Sequence, residues 1–333
     1  KHTIVVDGKE LYFDVNSGLL SSDNADFEPN LPDKVIQIVY SPRGKYVIGL
    51  STLCNGNCSY CFMRLTQELN TNAIIDDKTI DDIFTYGPPI QNILLAGNGE
   101  PLYHEDKIQY IYNKLEELNL ARRKHIGIIT NGAMLSKRFV KKMFVRGYTF
   151  SLDGPPEIHN AIRKYQNGNG MYDDVIRAVD YVREIAPSQT HLSYGFGTTV
   201  SPAHGNDYAK IAKHLISLQP RDFGINYAHL PSNHPLLPND YMLDGFSTLV
   251  DWFIDIILTD QRYWWTRFGG GFKRLFDRFA LNKRRRYRCN LYNNDYTVDP
   301  EGLVYPCAAM MHDPSLTYGY VGNCPREDLL QST

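Results

Sequence analysis

Two hydrophobic periods alternate along most of this chain. Between residues 45 and 235, short apolar runs of strand character occur at Tyr46–Ser51, Asn92–Gly97, His125–Asn131, Tyr148–Gly154, His191–Val200 and Asp222–Leu230. Helical periodicity fills the gaps between them, at about 78–86, 105–118, 136–146, 171–185 and 206–217. Strand followed by helix, repeated in this way, predicts parallel strands joined by right-handed crossovers. The near-continuous apolar run Ile93-Leu94-Leu95 predicts a strand buried on both faces. Six such units fall short of the eight that close a full barrel. The pattern therefore predicts an α/β fold, either a partial (β/α)6 TIM-like barrel or a doubly wound sheet.

The flanks read differently. Residues 1–44 carry short alternating runs (Thr3–Val6, Leu11–Val15, Val35–Tyr40) separated by Asp-Gly, Asn-Ser-Gly and Pro-Asp turns, which predicts a small β segment. Beyond residue 240 the alternation stops. An apolar helix is expected over Phe246–Leu258, followed by an aromatic patch at Tyr263, Trp264 and Trp265 and a basic run from Lys283 to Arg288. Tyr296–Val298 and Leu303–Tyr305, flanking Asp299-Pro300-Glu301-Gly302, predict a β-hairpin. The expected organisation is thus a β segment over 1–44, a partial barrel over 45–240 and a C-terminal extension over 241–333.

Composition narrows the class only a little. The 333 residues are 43% hydrophobic and 22% charged, with a formal net charge of −2, which gives no general attraction to nucleic acid. No run approaches the ~20 apolar residues of a membrane span. The polar start at Lys1 shows no signal peptide, so a cytoplasmic location is expected. The missing initiator Met implies further residues upstream.

The cysteines change the picture. They number six, at 54, 58, 61, 289, 307 and 324, and a long chain without an export signal is a poor candidate for a disulfide framework. Cys54, Cys58 and Cys61 follow the first barrel strand, where barrel enzymes place their chemistry. Three thiolates on one tight loop suit three corners of a [4Fe–4S] cluster, leaving one iron open. A three-cysteine zinc site is the other occupant of such spacing, although zinc normally takes a fourth ligand nearby. Gly56 lets the loop bend closely around a bound group.

Cys54-Asn-Gly-Asn-Cys58-Ser-Tyr60-Cys61 resembles the signature of the radical S-adenosylmethionine (SAM) superfamily, and the likeness continues at successive strand ends over roughly 45–235. Gly97-Asn98-Gly99-Glu100-Pro101 is similar to that family's Gly-Gly-Glu-Pro motif, with Asn98 as a departure. The resemblance implies that Gly99 and Glu100 hold the SAM amino group. Thr130-Asn131-Gly132 and Ser151-Leu-Asp153-Gly154 stand where the family binds the ribose and amino-acid parts of SAM. Glu157-Ile-His159-Asn-Ala-Ile-Arg163 resembles the segment whose Arg grips the SAM carboxylate, a task suited to a guanidinium fork. Val200 and Ser201 match a position lining the adenine pocket, and Tyr60 is the aromatic residue of the signature.

Gly302-Leu-Val-Tyr-Pro-Cys307, with Cys289 upstream, resembles the opening of the SPASM or twitch extension of peptide-modifying radical SAM enzymes. By that resemblance Cys289, Cys307 and Cys324 bind an auxiliary [4Fe–4S] cluster. Such an extension carries more cysteines in full, so an open or non-cysteine fourth ligand, a truncated extension, and Cys324 as a hydrogen-atom donor all remain open. The segment around Phe13-Asp-Val-Asn-Ser-Gly18 resembles the start of leader-peptide-binding domains.

The activity this implies is reductive cleavage of SAM to methionine and a 5′-deoxyadenosyl radical, which abstracts hydrogen from an unactivated carbon. The expected substrate is a peptide or protein side chain, undergoing cross-linking, thioether formation, oxidation or epimerisation. The expected electron donor is a flavodoxin or ferredoxin, with no membrane or nucleic-acid partner. The alternatives are a small-molecule dehydrogenase or epimerase and, from another class, a zinc-dependent nucleic-acid-binding module using Lys283–Arg288. Asn226, Tyr227 and His229 on the sixth strand alternate in direction, so part of this set is expected to face the lumen.

Overall fold

The structure, a computed structural model, describes residues 2–6, 9–14, 19–21, 44–61, 63, 72–87, 89–120, 125–189, 191–228, 234–236, 240–259, 268–269, 295–311 and 314–323. The predicted segments around Val35–Tyr40, His229, Trp264–Trp265 and Lys283–Arg288 lie outside these residues. Strands β1 (His2–Val6), β2 (Lys9–Asp14) and β3 (Leu19–Ser21) form a three-stranded antiparallel sheet of their own.

The main sheet is built on β4 (Gly44–Ile48), β5 (Ile90–Leu95), β6 (His125–Thr130), β7 (Gly147–Ser151), β8 (Ser193–Val200) and β9 (Asp222–Tyr227). They lie side by side in chain order, every neighbouring pair parallel. The connecting helices are α1 (Asp77–Tyr86), α2 (Glu105–Glu117), α3 (Lys137–Lys142), α4 (Pro156–Ile162), α5 (Tyr172–Ile185) and α6 (Tyr208–Ser217). This is the partial barrel that the alternating periods predict, its strand ends within a few residues of expectation.

The two faces of the sheet differ sharply. Tyr46, Ile48, Ile93, Leu95, Ile126, Ile128, Tyr148, Phe150, Phe196, Phe223 and Ile225 are buried and share one core with helix residues such as Ile80, Ile111, Val179 and Ile211. Alternation puts the neighbouring residues on the lumen side. There the rows of paired residues run Leu94–Gly127–Gly147, Thr149–Gly195 and Gly197–Gly224. The expectation that Ile93-Leu94-Leu95 is buried on both faces needs correcting: Leu94 is only half-buried, and its partner on the adjacent strand, Gly127, has no side chain to cover it.

The C-terminal elements join the same sheet. Helix α7 (Asp240–Thr259) packs on α6, with Tyr208 and Phe246 meeting edge to face at 5.1 Å. Strand β10 (Phe268–Gly269) adds parallel to β9. Strands β11 (Asp295–Val298) and β12 (Leu303–Tyr305) form the predicted hairpin, and β13 (Gly319–Tyr320) continues it. The local pattern could not reveal that β11 lies parallel against β4, pairing Thr297 with Val47 and Val298 with Ile48. Tyr46 stacks on Tyr296 at 5.4 Å, so the sheet and its core run across the boundary expected at residue 240.

Candidate active site

The loop leaving β4 is pinned from both sides. Glu100 donates its backbone N–H to Leu53 O at 2.8 Å on one flank, and Asn57 N–H reaches Lys164 O at 2.6 Å on the other. Gly56 forms a bridge with Tyr165, and Cys61 N–H closes a turn onto Cys58 O at 3.1 Å. A methyl group on Gly56 would lie 3.5 Å from Cys54 Sγ and 3.6 Å from Cys58 Sγ, so both sulfurs face the same side of this glycine. Burial pushes the Cys54 thiol up to about 12 and raises that of Cys58 against the pull of Arg163. Binding iron there must displace protons. Among the described residues no three His, Cys, Asp or Glu side chains gather tightly enough to share one metal ion. Two thiols facing one side of Gly56, with a third on the same loop, are a donor set that fits the corners of a cluster.

The second motif closes against this loop. At Gly99 a β-carbon would come within 2.3 Å of Leu53 O and 2.5 Å of Ser51 O, which explains the residue by close approach. Glu100 is buried, and its carboxylate accepts from Thr130 Oγ1 (2.6 Å), Leu102 N–H (3.2 Å) and Asn131 N–H (2.8 Å). Desolvation raises its pKa, with these hydrogen bonds opposing. They fill three of about four acceptor sites, leaving one on Oε2 for an incoming cation. The Asn131 side chain donates to Asn55 Oδ1 at 2.7 Å and lies 3.9 Å from Cys54 Sγ, tying β6 to the cysteine loop. Asn98 is buried against Gly49, its side-chain oxygen without a hydrogen-bond partner in the described structure.

A third group lies beneath Cys58. Asp153, fully buried, accepts from Arg163 Nε (2.6 Å) and Tyr60 OH (2.5 Å) through Oδ2, and from Thr199 N–H (3.1 Å) through Oδ1. Burial alone would raise its pKa, but the Arg163 guanidinium and the adjacent His204 outweigh it and hold the carboxyl ionised. Asp153 N–H donates to His159 Nδ1 at 3.2 Å, and burial lowers that imidazole's pKa to about 4. Helix α4 delivers Arg163 at its C-terminal cap, where Arg163 N–H bonds His159 O at 2.8 Å.

The structure thus brings Cys54, Cys58, Cys61, Tyr60, Gly99, Glu100, Asn131, Asp153 and Arg163 together at one end of the sheet. Ser151 stands at the lumen rim, paired with Gly197. Val200 is fully buried within the main core. Cys307 follows β12 and is half-buried, while Cys289 and Cys324 lie outside the described residues. Asn226 and Tyr227 are both exposed. Sequence reasoning passed over His204, Asn55 and His159 as members of the site. For His204 the signal was Ser201-Pro-Ala-His204, a capping box immediately after a barrel strand.

Residues 48–204 match the family model described as "Radical SAM superfamily". No curated protein matches the chain in sequence. Among solved structures, "Native anSMEcpe with bound AdoMet" superposes with a TM-score of 0.68 at 19% identity, over 86% of this chain and 80% of that one. "Native anSMEcpe with bound AdoMet and Kp18Cys peptide" gives 0.69 at 18% identity, over 86% and 80%. Streptococcus suis SuiB bound to precursor peptide SuiA gives 0.60 at 16% identity, over 85% of this chain and 63% of that one. At these identities the likeness is one of fold. It extends well beyond residues 48–204, the segment that matches the radical SAM superfamily.

Proposed function

We propose that this chain is a radical SAM enzyme that modifies a peptide or protein side chain, with Cys54, Cys58 and Cys61 ligating its SAM-binding cluster. The observation that carries the peptide reading is how far the fold likeness extends. It covers 86% of this chain, well past the matched domain, against an anSMEcpe structure holding a peptide. On the lumen side the strands pair glycine with glycine at Gly127–Gly147 and Gly197–Gly224, with neighbouring side chains such as Leu94 and Thr149 close over them.

Bound together, cluster and SAM supply a 5′-deoxyadenosyl radical that removes a hydrogen atom from the substrate. This chain's residues do the rest. Glu100 offers its remaining Oε2 acceptor to the SAM ammonium, Asn131 steadies the cysteine loop, and Ser151 supplies a hydroxyl at the rim. Cys307, with Cys289 and Cys324, would hold an auxiliary cluster, and the electron would come from a flavodoxin or ferredoxin.

Anaerobic protein supplied with dithionite and SAM should form 5′-deoxyadenosine, read by mass spectrometry, and Cys58→Ala should abolish it. Iron near eight per chain would support the auxiliary cluster, and four would remove it. A peptide altered in mass only in the complete reaction establishes the substrate class. Turnover of a small molecule with every peptide left unchanged would replace this reading with the dehydrogenase or epimerase alternative.

A further inference from the structure

Arg163 is held more firmly than a side chain waiting only for a ligand carboxylate. Its Nε is fixed to Asp153 Oδ2 at 2.6 Å, its plane lies over the Tyr60 ring at 5.3 Å, and its NH1 sits 3.8 Å from Cys58 Sγ. Asp153 is itself clamped from several elements. Tyr60 OH and Thr199 N–H donate to it, and His204 Nε2 faces Oδ2 at 3.7 Å. His204 Nδ1 accepts from Ser201 N–H at 2.9 Å, so the neutral ring carries its proton on Nε2, toward the carboxylate. With Nε on Asp153, the fork presents NH1 to the sulfur.

We infer that Asp153 is a positioning residue for the cluster: through Arg163 it holds a charge-assisted N–H···S hydrogen bond on Cys58 and thereby raises the cluster's reduction potential. The inference rests on the proposed function in one respect, that Cys58 is a cluster ligand. One-electron reduction adds negative charge to the cluster and its sulfurs, and a cationic donor at a thiolate favours that state.

The sign of one substitution separates this relay from a simple charge effect. If Asp153 acted only through its own negative charge, Asp153→Asn would raise the potential. If it acts by holding Arg163, the freed guanidinium swings away and the potential falls. The experiment is an EPR-monitored redox titration of the reconstituted, SAM-free protein, scored beside iron content. Arg163→Gln and Asp153→Asn are both expected to weaken reduction by about tenfold, which for a one-electron couple is about 59 mV. An unchanged potential in Arg163→Gln, or a raised or unchanged one in Asp153→Asn, overturns the inference.

Should either variant fail to retain its cluster, wild-type protein labelled with 15N-arginine decides. The reduced cluster should show a 15N coupling in pulsed EPR, and its absence overturns the inference. A colourless, iron-free wild type would instead sink the proposed function, so the two failures are distinguishable.

Discussion

Gly99 shows how little space separates the SAM-motif loop from the cysteine loop. Because its missing β-carbon would collide with two backbone oxygens, which cannot step aside as a side chain can, Gly99→Ala should force the loops apart. Iron content after reconstitution should drop to a small fraction of wild type. Gly168→Ala is the control: φ there is +88° but nothing lies within 4 Å, so the cost is the left-handed backbone penalty of about 1–2 kcal/mol. His159 gives a pH signature. Its folded pKa of about 4 lies below the ordinary 6.5, so the unfolded chain binds the proton more readily between those values. Stability is therefore complete above pH 6.5 and falls as pH drops toward 4, by on the order of 3 kcal/mol. Urea unfolding at pH 4.5–7 should show that slope in wild type, and His159→Gln should flatten it. Glu100, Asn131 and Asp153 were singled out in the sequence because each follows closely on a strand end, and Arg163 because it closes the short segment after β7. The pairing of Asp153 with Arg163, Tyr60 and His204 was not, since it depends on side-chain geometry across four loops.

At the scale of elements, hydrophobic period located six barrel strands, their main helices and the tail hairpin. It missed α4, whose seven residues open on Pro155-Pro156 and span too few turns to establish a period. Gly245, in the interior of α7, tests propensity against packing. Glycine there costs the helix about 1 kcal/mol relative to alanine. Yet a β-carbon would come within 2.8 Å of the Tyr208 ring, which is fully buried and has nowhere to go. Gly245→Ala should therefore lower the melting temperature, by an overpacking cost of about 1–3 kcal/mol, where propensity alone predicts a rise. The tail is fastened to α1 as well as to the sheet: Tyr320 OH donates to Asp82 Oδ2 at 3.0 Å and lies 3.3 Å from Thr79 Oγ1. Tyr320→Phe should cost about 1 kcal/mol in chemical denaturation without altering the iron content.

For the whole molecule the decisive contact joins the two ends of the main sheet's sequence. Removing residues 295–333 would strip β11 from β4 and expose Ile48 and Tyr46 along an open strand edge, so that variant should aggregate on size-exclusion chromatography. Among the described residues no helix is long and apolar enough to cross a membrane. The β4–β11 pairing also orders events in time. A ribosome adding about 5–20 residues per second needs tens of seconds to make the roughly 250 residues between Ile48 and Val298. Throughout that interval the strand that launches the cysteine loop lacks its neighbour, and Gly49 N–H lacks the Val298 carbonyl it bonds at 2.8 Å. A cluster held by Cys54, Cys58 and Cys61, as proposed, would therefore be inserted into a fully supported loop only after translation has delivered the last strands.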